Sequence, residues 1–283
     1  MNTATLKLHC PDATGIVYRV SKFIFERGGN IINSNHHYEQ LDERFFMWVH
    51  FDCSSLTVTK QQMTTDLDQL AQEHNMDTEI NFAENRKRLA LMVSKYDHCL
   101  YDLLLRHQYG EFKADISMII SNHIDLENIA INFKVPFFYI PVTKDTKTSA
   151  QQRLLELLKQ HQIDLIVLAR YMQIIQPETI DAYPNKIINV HHGFLPAFKG
   201  AKPYHQAYEK GVKLIGATSH FVTAELDTGP IIEQETARVN HSHCVDDLLA
   251  MGRDVEKKVL AKAVRSFIDD KIMVYKQRTI VFD

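Results

Sequence analysis

This chain has no excess of positive charge, no paired cysteines and no long apolar run, and each absence removes a class of protein. Its 32 lysines and arginines face 35 aspartates and glutamates, for a formal net charge of -3. Such a balance gives no polycationic surface to hold a phosphate backbone by counterion release, so no nucleic-acid partner is expected. Cys10, Cys53, Cys99 and Cys244 are scattered, with no C-x-x-C pair. A chain of 283 residues, 45% of them hydrophobic, can build its core without covalent staples, and a reducing, cytoplasmic location is expected. No uninterrupted apolar segment approaches the roughly 18 residues of a membrane span, and residues 1–7 lack the basic-then-apolar order of an export signal. A soluble, unprocessed protein with no membrane partner is expected. There is no internal repeat and no low-complexity tract.

What is present reads as two domains, since the length exceeds one average domain. Thr5 to His9 alternates like a strand, Ile16, Val20, Phe23, Ile24 and Phe25 recur at helical spacing, and Gly28-Gly29-Asn30 stops that helix. Ile31 to His37 and Arg44 to Phe51 read as strands, Thr59 to His74 as a polar helix and Asp77 to Phe82 as a last strand. The order β-α-β-β-α-β is ferredoxin-like, and residues 84–88, Glu-Asn-Arg-Lys-Arg, read as a linker. Division into residues 1–84 and 85–283 follows. Beyond the linker strands alternate with helices: Leu89 to Ser94, Ala114 to Ile120 and Ile163 to Ala169 are apolar strands, and Cys99 to Arg106, Leu126 to Phe133 and Gln151 to His161 are helical. This pattern predicts an α/β fold with a mostly parallel, Rossmann-like sheet covered by helices, whose ligands sit beyond the carboxyl ends of the strands. Val245 to Phe267 carries an apolar stripe and reads as a long packing helix.

The segment from Ile187 to Pro196 delivers Asn189 and His191 to such a strand end, and Ala224 to Pro230 carries Asp227. Two apart on an extended segment, Asn189 and His191 share a face, while Val190 and His192 are expected to point elsewhere. An amide, an imidazole and a carboxylate suit acyl chemistry without a metal: a donor for a developing oxyanion, a proton carrier near neutrality, and an acid to orient the attacking group. Asn189, His191 and Asp227 are therefore the catalytic candidates. His192, His205 and His220 are read as supporting the shape of the site. Adjacent strand histidines face opposite ways and no standard ligand spacing appears, so no metal is expected. Burial and a cationic His191 would push the Asp227 pKa in opposite directions, which leaves its direction open.

The element Asn189-Val190-His191, followed by residues 220–230, His-Phe-Val-Thr-Ala-Glu-Leu-Asp-Thr-Gly-Pro, resembles the formyltetrahydrofolate deformylase family, over essentially the whole chain. That family joins an N-terminal ACT domain to a formyltransferase-type domain related to glycinamide ribonucleotide transformylase. Residues 194–207 look like the deformylase version of the loop after the catalytic strand. The first strand-to-helix turn of the large domain, residues 94–100, carries Lys95, Tyr96, Asp97 and His98 where the transformylases have a glycine-rich phosphate cradle, and such side chains obstruct the close backbone approach that a phosphate needs. The chain departs from the family pattern at Gly193, where serine is usual, and at Trp48, where arginine is common.

The resemblance implies hydrolysis of 10-formyltetrahydrofolate to formate and tetrahydrofolate, supplying formate for purine biosynthesis and balancing the one-carbon folate pool. No cofactor is implied, since the folate is the substrate; the alternative is a formyltransferase acting on an amine. In the family the asparagine and histidine are catalytic and the aspartate positions water and the histidine. Tyr171, Met172, Gln173, Ile174 and Ile175 resemble the family's pterin-binding segment, although from spacing alone core is the safer reading of Met172, Ile174 and Ile175, and Leu226 would line the other wall. Asp12, Gly15, Gly29 and Asn30 lie in turns that ACT domains use to bind an amino acid such as glycine or methionine at a subunit interface. The same residues equally meet ordinary turn requirements. A homo-oligomer is implied.

Overall fold

The computed structural model describes residues 2–197 and 203–282. Residues 198–202 of the loop read above as deformylase-like lie outside the described residues. Two compact units form: Met1–Arg86 with Asp270–Met273 and Val281–Asp283, and Lys87–Asp269 with Val274–Ile280. The first unit thus takes residues from the end of the chain, which the linear division at residue 84 does not provide for. Hydrogen bonding is the reason: Asn81 Nδ2 donates to Asp270 Oδ1 at 2.9 Å and Lys7 Nζ to the Ile272 carbonyl at 3.5 Å.

The first unit runs β1 (Thr3–Pro11), α1 (Ile16–Glu26), β2 (Asn30–Glu39), β3 (Arg44–Asp52), α2 (Lys60–His74) and β4 (Asp77–Phe82). Its antiparallel sheet has the order β2-β3-β1-β4. Alternation puts Leu6 and Leu8 of β1 and Phe45, Met47, Val49 and Phe51 of β3 on one face, where they form one core with Val20, Phe23 and Ile24 of α1 and Met63 and Leu67 of α2. Helix α2 starts at Thr59, whose hydroxyl accepts from the Gln62 N–H at 3.1 Å, and stops at Asn75 in the left-handed conformation. Gly15 opens α1 at φ 86°. A side chain at Gly29 would strike Ile24 and Phe51, at 2.7 and 3.1 Å. Both glycines therefore meet a backbone or packing demand. Asp12 and Asn30 are exposed.

The second unit contains a seven-stranded sheet of β5 (Lys87–Val93), β6 (Ala114–Ser121), β7 (Phe137–Tyr139), β8 (Leu165–Leu168), β9 (Ile187–His191), β10 (Leu214–Phe221) and β11 (Ile231–Arg238), in the order β11-β10-β9-β8-β5-β6-β7. The pairs from β9 through β7 are parallel; β10 and β11 run antiparallel at one edge. The helices are α3 (His98–Gln108), α4 (Glu127–Phe133), α5 (Lys147–Gln160), α6 (Pro177–Ala182), α7 (Pro203–Glu209) and α8 (Val245–Ile268); a hairpin of β12 (Ile272–Tyr275) and β13 (Arg278–Val281) follows. Strands β5 and β8 are apolar on both faces because helices cover both, as a central parallel strand requires.

Lys87 and Arg88, read above as linker, begin β5. The Arg88 N–H bonds to Asp164 Oδ2 and its Nε to the His161 carbonyl, both at 2.8 Å, so charge at the strand's entrance is satisfied rather than excluded. From β5 the chain builds outward through β6 to β7, then returns to place β8 and β9 on the other side of β5. The carboxyl ends of β5 and β8 flank that reversal, where doubly wound sheets open a crevice.

Candidate active site

Asn189 and His191 leave the carboxyl end of β9, between β8 and β10. They line a cavity of about 730 Å³ together with Asp227 and His220. His191 is 5% exposed, and its Nδ1 lies 3.2 Å from Asp227 Oδ2. The hydrogen bond from His191 holds the Asp227 carboxyl below the usual carboxylate range against the opposing push of burial. Asp227 is thus ionised at neutral pH, the direction that composition left open. With Nδ1 donating to the carboxylate, Nε2 is the His191 nitrogen left to exchange a proton with a ligand.

Asn189 is oriented by His220, directly across on β10. The His220 Nδ1–H donates to the Phe221 carbonyl at 2.8 Å, which leaves Nε2 to accept from the Asn189 amide at 3.2 Å. Burial pushes the His220 pKa down, so the ring is neutral and keeps this acceptor. One amide N–H of Asn189 is thereby anchored, and the other is not used by that bond. Here the reading of His220 as a supporting residue acquires a definite geometry.

Two loops complete the cavity. Asp227 adopts φ 57°, a left-handed conformation that aspartate tolerates better than most residues. Its loop is closed by the Thr228 hydroxyl donating to the Glu225 carbonyl at 3.1 Å, and Gly229 lies so close to the Phe221 carbonyl that no Cβ fits. The loop after β9 is pinned by Thr218. Its hydroxyl donates to the Gly193 carbonyl and accepts from the Leu195 N–H and from Gln234 Nε2, all at 3.0 Å, which uses its full capacity.

The segment after β8 divides by burial. Tyr171 and Ile175 are 7% and 5% exposed and belong to the core; Met172 and Ile174, at 54% and 59%, open towards the cavity, as does Leu226 at 65%. Tyr171 and Ile175 line the same cavity from within the core, so core packing and pocket lining coincide there. Gln173 also lines the cavity. Ser94 at the end of β5 ties the segment down: its hydroxyl donates to Asn122 Oδ1 at 2.6 Å and accepts the Met172 N–H at 2.9 Å.

His192 corrects an expectation. Strand alternation was expected to turn it and Val190 away, yet β9 ends at His191 and both Val190 and His192 line the same cavity. The His192 ring lies 5.4 Å from that of His191. Sequence reasoning also missed Glu256, 2% exposed within α8, which accepts from His98 Nε2 at 2.8 Å and from the Tyr204 hydroxyl at 3.1 Å. Gly252 makes room for the Tyr204 ring. The signal was a carboxylate and a glycine one turn apart on the apolar stripe of that helix. Burial pushes the Glu256 pKa up, but the His98 hydrogen bond and the Arg170 charge outweigh it and keep the group ionised. His98, Cys99 and Glu256 form the one group among the described residues able to gather around a metal, within 4.8 Å. Both carboxylate oxygens are already engaged, and burial pushes the Cys99 thiol well up, so the cluster reads as a hydrogen-bonded one.

An α/β sheet of this order, with an amide, an imidazole and a carboxylate at its crevice, defines a formyl transferase class of protein, and residues 87–264 match the formyl transferase family. Over nearly the full length, the chain is 47% identical to a formyltetrahydrofolate deformylase of Synechocystis sp., covering 99% of this chain and 98% of the relative. It is 45% identical to one of Bacillus subtilis, covering 98% and 93%. A crystal structure of a formyltetrahydrofolate deformylase from Pseudomonas syringae pv. tomato superposes with a TM-score of 0.98 at 43% identity, covering all of this chain and 95% of that one. The chain belongs to the formyltetrahydrofolate deformylase family.

Two outcomes follow from this geometry. Thr218→Val strands the buried Gly193 carbonyl and the buried Leu195 N–H, so chemical denaturation should show a loss of about 1–3 kcal/mol; an unchanged unfolding midpoint would contradict the pinning role. His192 has its pKa pushed down to about 4, by burial first and by the Arg170 charge second. Its folded pKa lies below the unfolded value of about 6.5. Its contribution to stability is therefore whole above about pH 6.5 and is lost as pH falls through about 4. The melting temperature of His192→Gln should fall less steeply over that window than that of the parent; identical slopes would refute it.

Proposed function

We propose that this protein is a hydrolase that cleaves 10-formyltetrahydrofolate to formate and tetrahydrofolate, with water as the acceptor of the formyl group. The observation that carries the reading is the buried contact of His191 with an ionised Asp227, beside the Asn189 amide that lines the same cavity. Asn189 donates to the formyl oxygen as charge develops on it. His191 Nε2 takes the proton that the attacking water sheds, gives the second hydrogen bond to the oxyanion as an imidazolium, and then protonates the departing folate nitrogen from Nε2. Asp227 holds the attacking water and stabilises the imidazolium, and the low pKa that its hydrogen bond enforces keeps it in the form that can do both. Met172, Ile174 and Leu226 offer exposed apolar surface to the flat pterin, with Tyr171, Gln173 and Ile175 shaping the wall behind them.

The full-length similarity to deformylases favours this reading over transfer to an amine such as glycinamide ribonucleotide. The reaction needs no cofactor. We assign residues 1–84 as an ACT-type domain that serves assembly into a homo-oligomer and regulation, with Asp12, Gly15, Gly29 and Asn30 as the site of an amino-acid effector, glycine or methionine. The ferredoxin-like order of its strands supports this assignment. No helix among the described residues is long and apolar enough to cross a membrane, and folate one-carbon chemistry that feeds purine biosynthesis supports a cytoplasmic location.

Incubation with 10-formyltetrahydrofolate and no amine should release formate and tetrahydrofolate in equal amounts. Asn189→Ala should lower kcat by about 10²–10³, and Asp227→Asn should abolish most of the remaining turnover. Formylated amine as the main product would reverse the assignment, and wild-type turnover by Asp227→Asn would remove that residue from the mechanism.

A further inference from the structure

The cavity has a second polar pole that the Asn189, His191 and Asp227 chemistry leaves unused. Arg170, at the end of β8, lies there with its side chain 10% exposed and its guanidinium 5.0 Å from the centre of the Tyr96 ring. Its Nε stands 3.6 Å from Glu256 Oε2, within ion-pair range, yet makes no hydrogen bond. The Glu256 oxygens accept instead from His98 and Tyr204. A buried guanidinium with an unused donor, lining a cavity, has the planar fork that recognises a carboxylate. Helix α3 also begins at His98 without a side-chain cap, which adds positive potential at this end.

We propose that Arg170, supported by the His98, Tyr204 and Glu256 cluster, forms a subsite for a small planar carboxylate, the formate that the reaction releases. The proposal rests on the hydrolysis reading. Hydrolysis forms a C–O bond from water, breaks the C–N bond, places one water proton on the folate nitrogen, releases the other to solvent and leaves formate as an anion. That anion is born beside the ionised Asp227, which repels it, whereas Arg170 is a buried cation of the same cavity. The path between the two poles passes His192, whose ring lies 5.4 Å from His191 and 6.2 Å from Tyr204. Glu256 orients the cluster and offsets part of its charge, so formate is held weakly enough to leave.

A ligand of three heavy atoms is limited to about millimolar affinity, so the titration runs to about 100 mM. The folate-free protein is titrated with ¹³C-labelled formate by NMR, and formate is tested as a product inhibitor of the full reaction. Saturable binding by the wild type is expected, weakened roughly tenfold or more in Arg170→Gln and less in Arg170→Lys, which keeps the charge but not the fork. The inhibition constant of formate should rise by more than the folate KM in both variants. Absence of saturable binding by the wild type, or equal affinity in wild type and variants, overturns the subsite. If Arg170→Gln fails to fold, as judged by its melting curve, Arg170→Lys decides by the same comparison. A wild type that releases no formate from 10-formyltetrahydrofolate would instead defeat the hydrolysis reading, and that result is read separately from the titration.

Discussion

The contact between His191 and Asp227 organises the second unit's chemistry because it solves an energetic problem that the fold creates. A carboxylate in a largely buried crevice pays for desolvation, which favours its neutral form; a hydrogen bond from a neighbouring imidazole reverses that preference. The same bond assigns the imidazole proton to Nδ1 and so directs proton traffic to Nε2. Everything that fixes the pair is local to two strand ends: β9 presents His191, β10 pairs with β9 and returns the loop that carries Asp227. The left-handed backbone at Asp227 and the close approach of Gly229 to Phe221 are what let so short a loop fold back onto its own sheet.

His220 shows how the neighbouring strand extends that control. It is a histidine kept neutral by burial, against the opposite pull of its bond to the Phe221 carbonyl, and that bond fixes Nδ1 as the donor. Its value lies in being a fixed acceptor, which sets the orientation of the Asn189 amide. Two histidines on adjacent strands therefore meet opposite partners: His191 bonds an anion, and His220 stays neutral against an amide. The difference arises from what each Nδ1 faces, a carboxylate in one case and a carbonyl in the other.

The period of the apolar residues made most elements readable, and where it was short or interrupted the elements were missed. Strand β7 has only three residues and helix α6 only six, too few to display a period. The strands β10 and β11 were missed because an antiparallel edge mixes polar residues such as Thr218, Ser219, Glu233 and Gln234 into the pattern. Asn189, His191 and Asp227 were legible because their residue types and spacing carry the chemistry directly. His192 was misplaced because alternation was extended one residue past the end of β9. Glu256 went unread because a helix that packs was taken to be only packing, and its partners His98, Arg170 and Tyr204 come from three other elements distant in sequence.

That second cluster bears on why the cavity suits water as the acceptor. A phosphate-bearing acceptor needs a turn that its backbone can approach closely, and the turn after β5 is occupied by Tyr96 and His98, with His98 bonded to Glu256 and Tyr96 under the Arg170 guanidinium. Gly252 admits the Tyr204 ring to the same place. Polar groups already bonded to one another gain little from an incoming amine, which would have to break those bonds to enter. Water, the smaller acceptor, makes no such demand. The acceptor is thus chosen by what the cluster excludes, while the amide, imidazole and carboxylate that act on the formyl group can remain the same for either reaction.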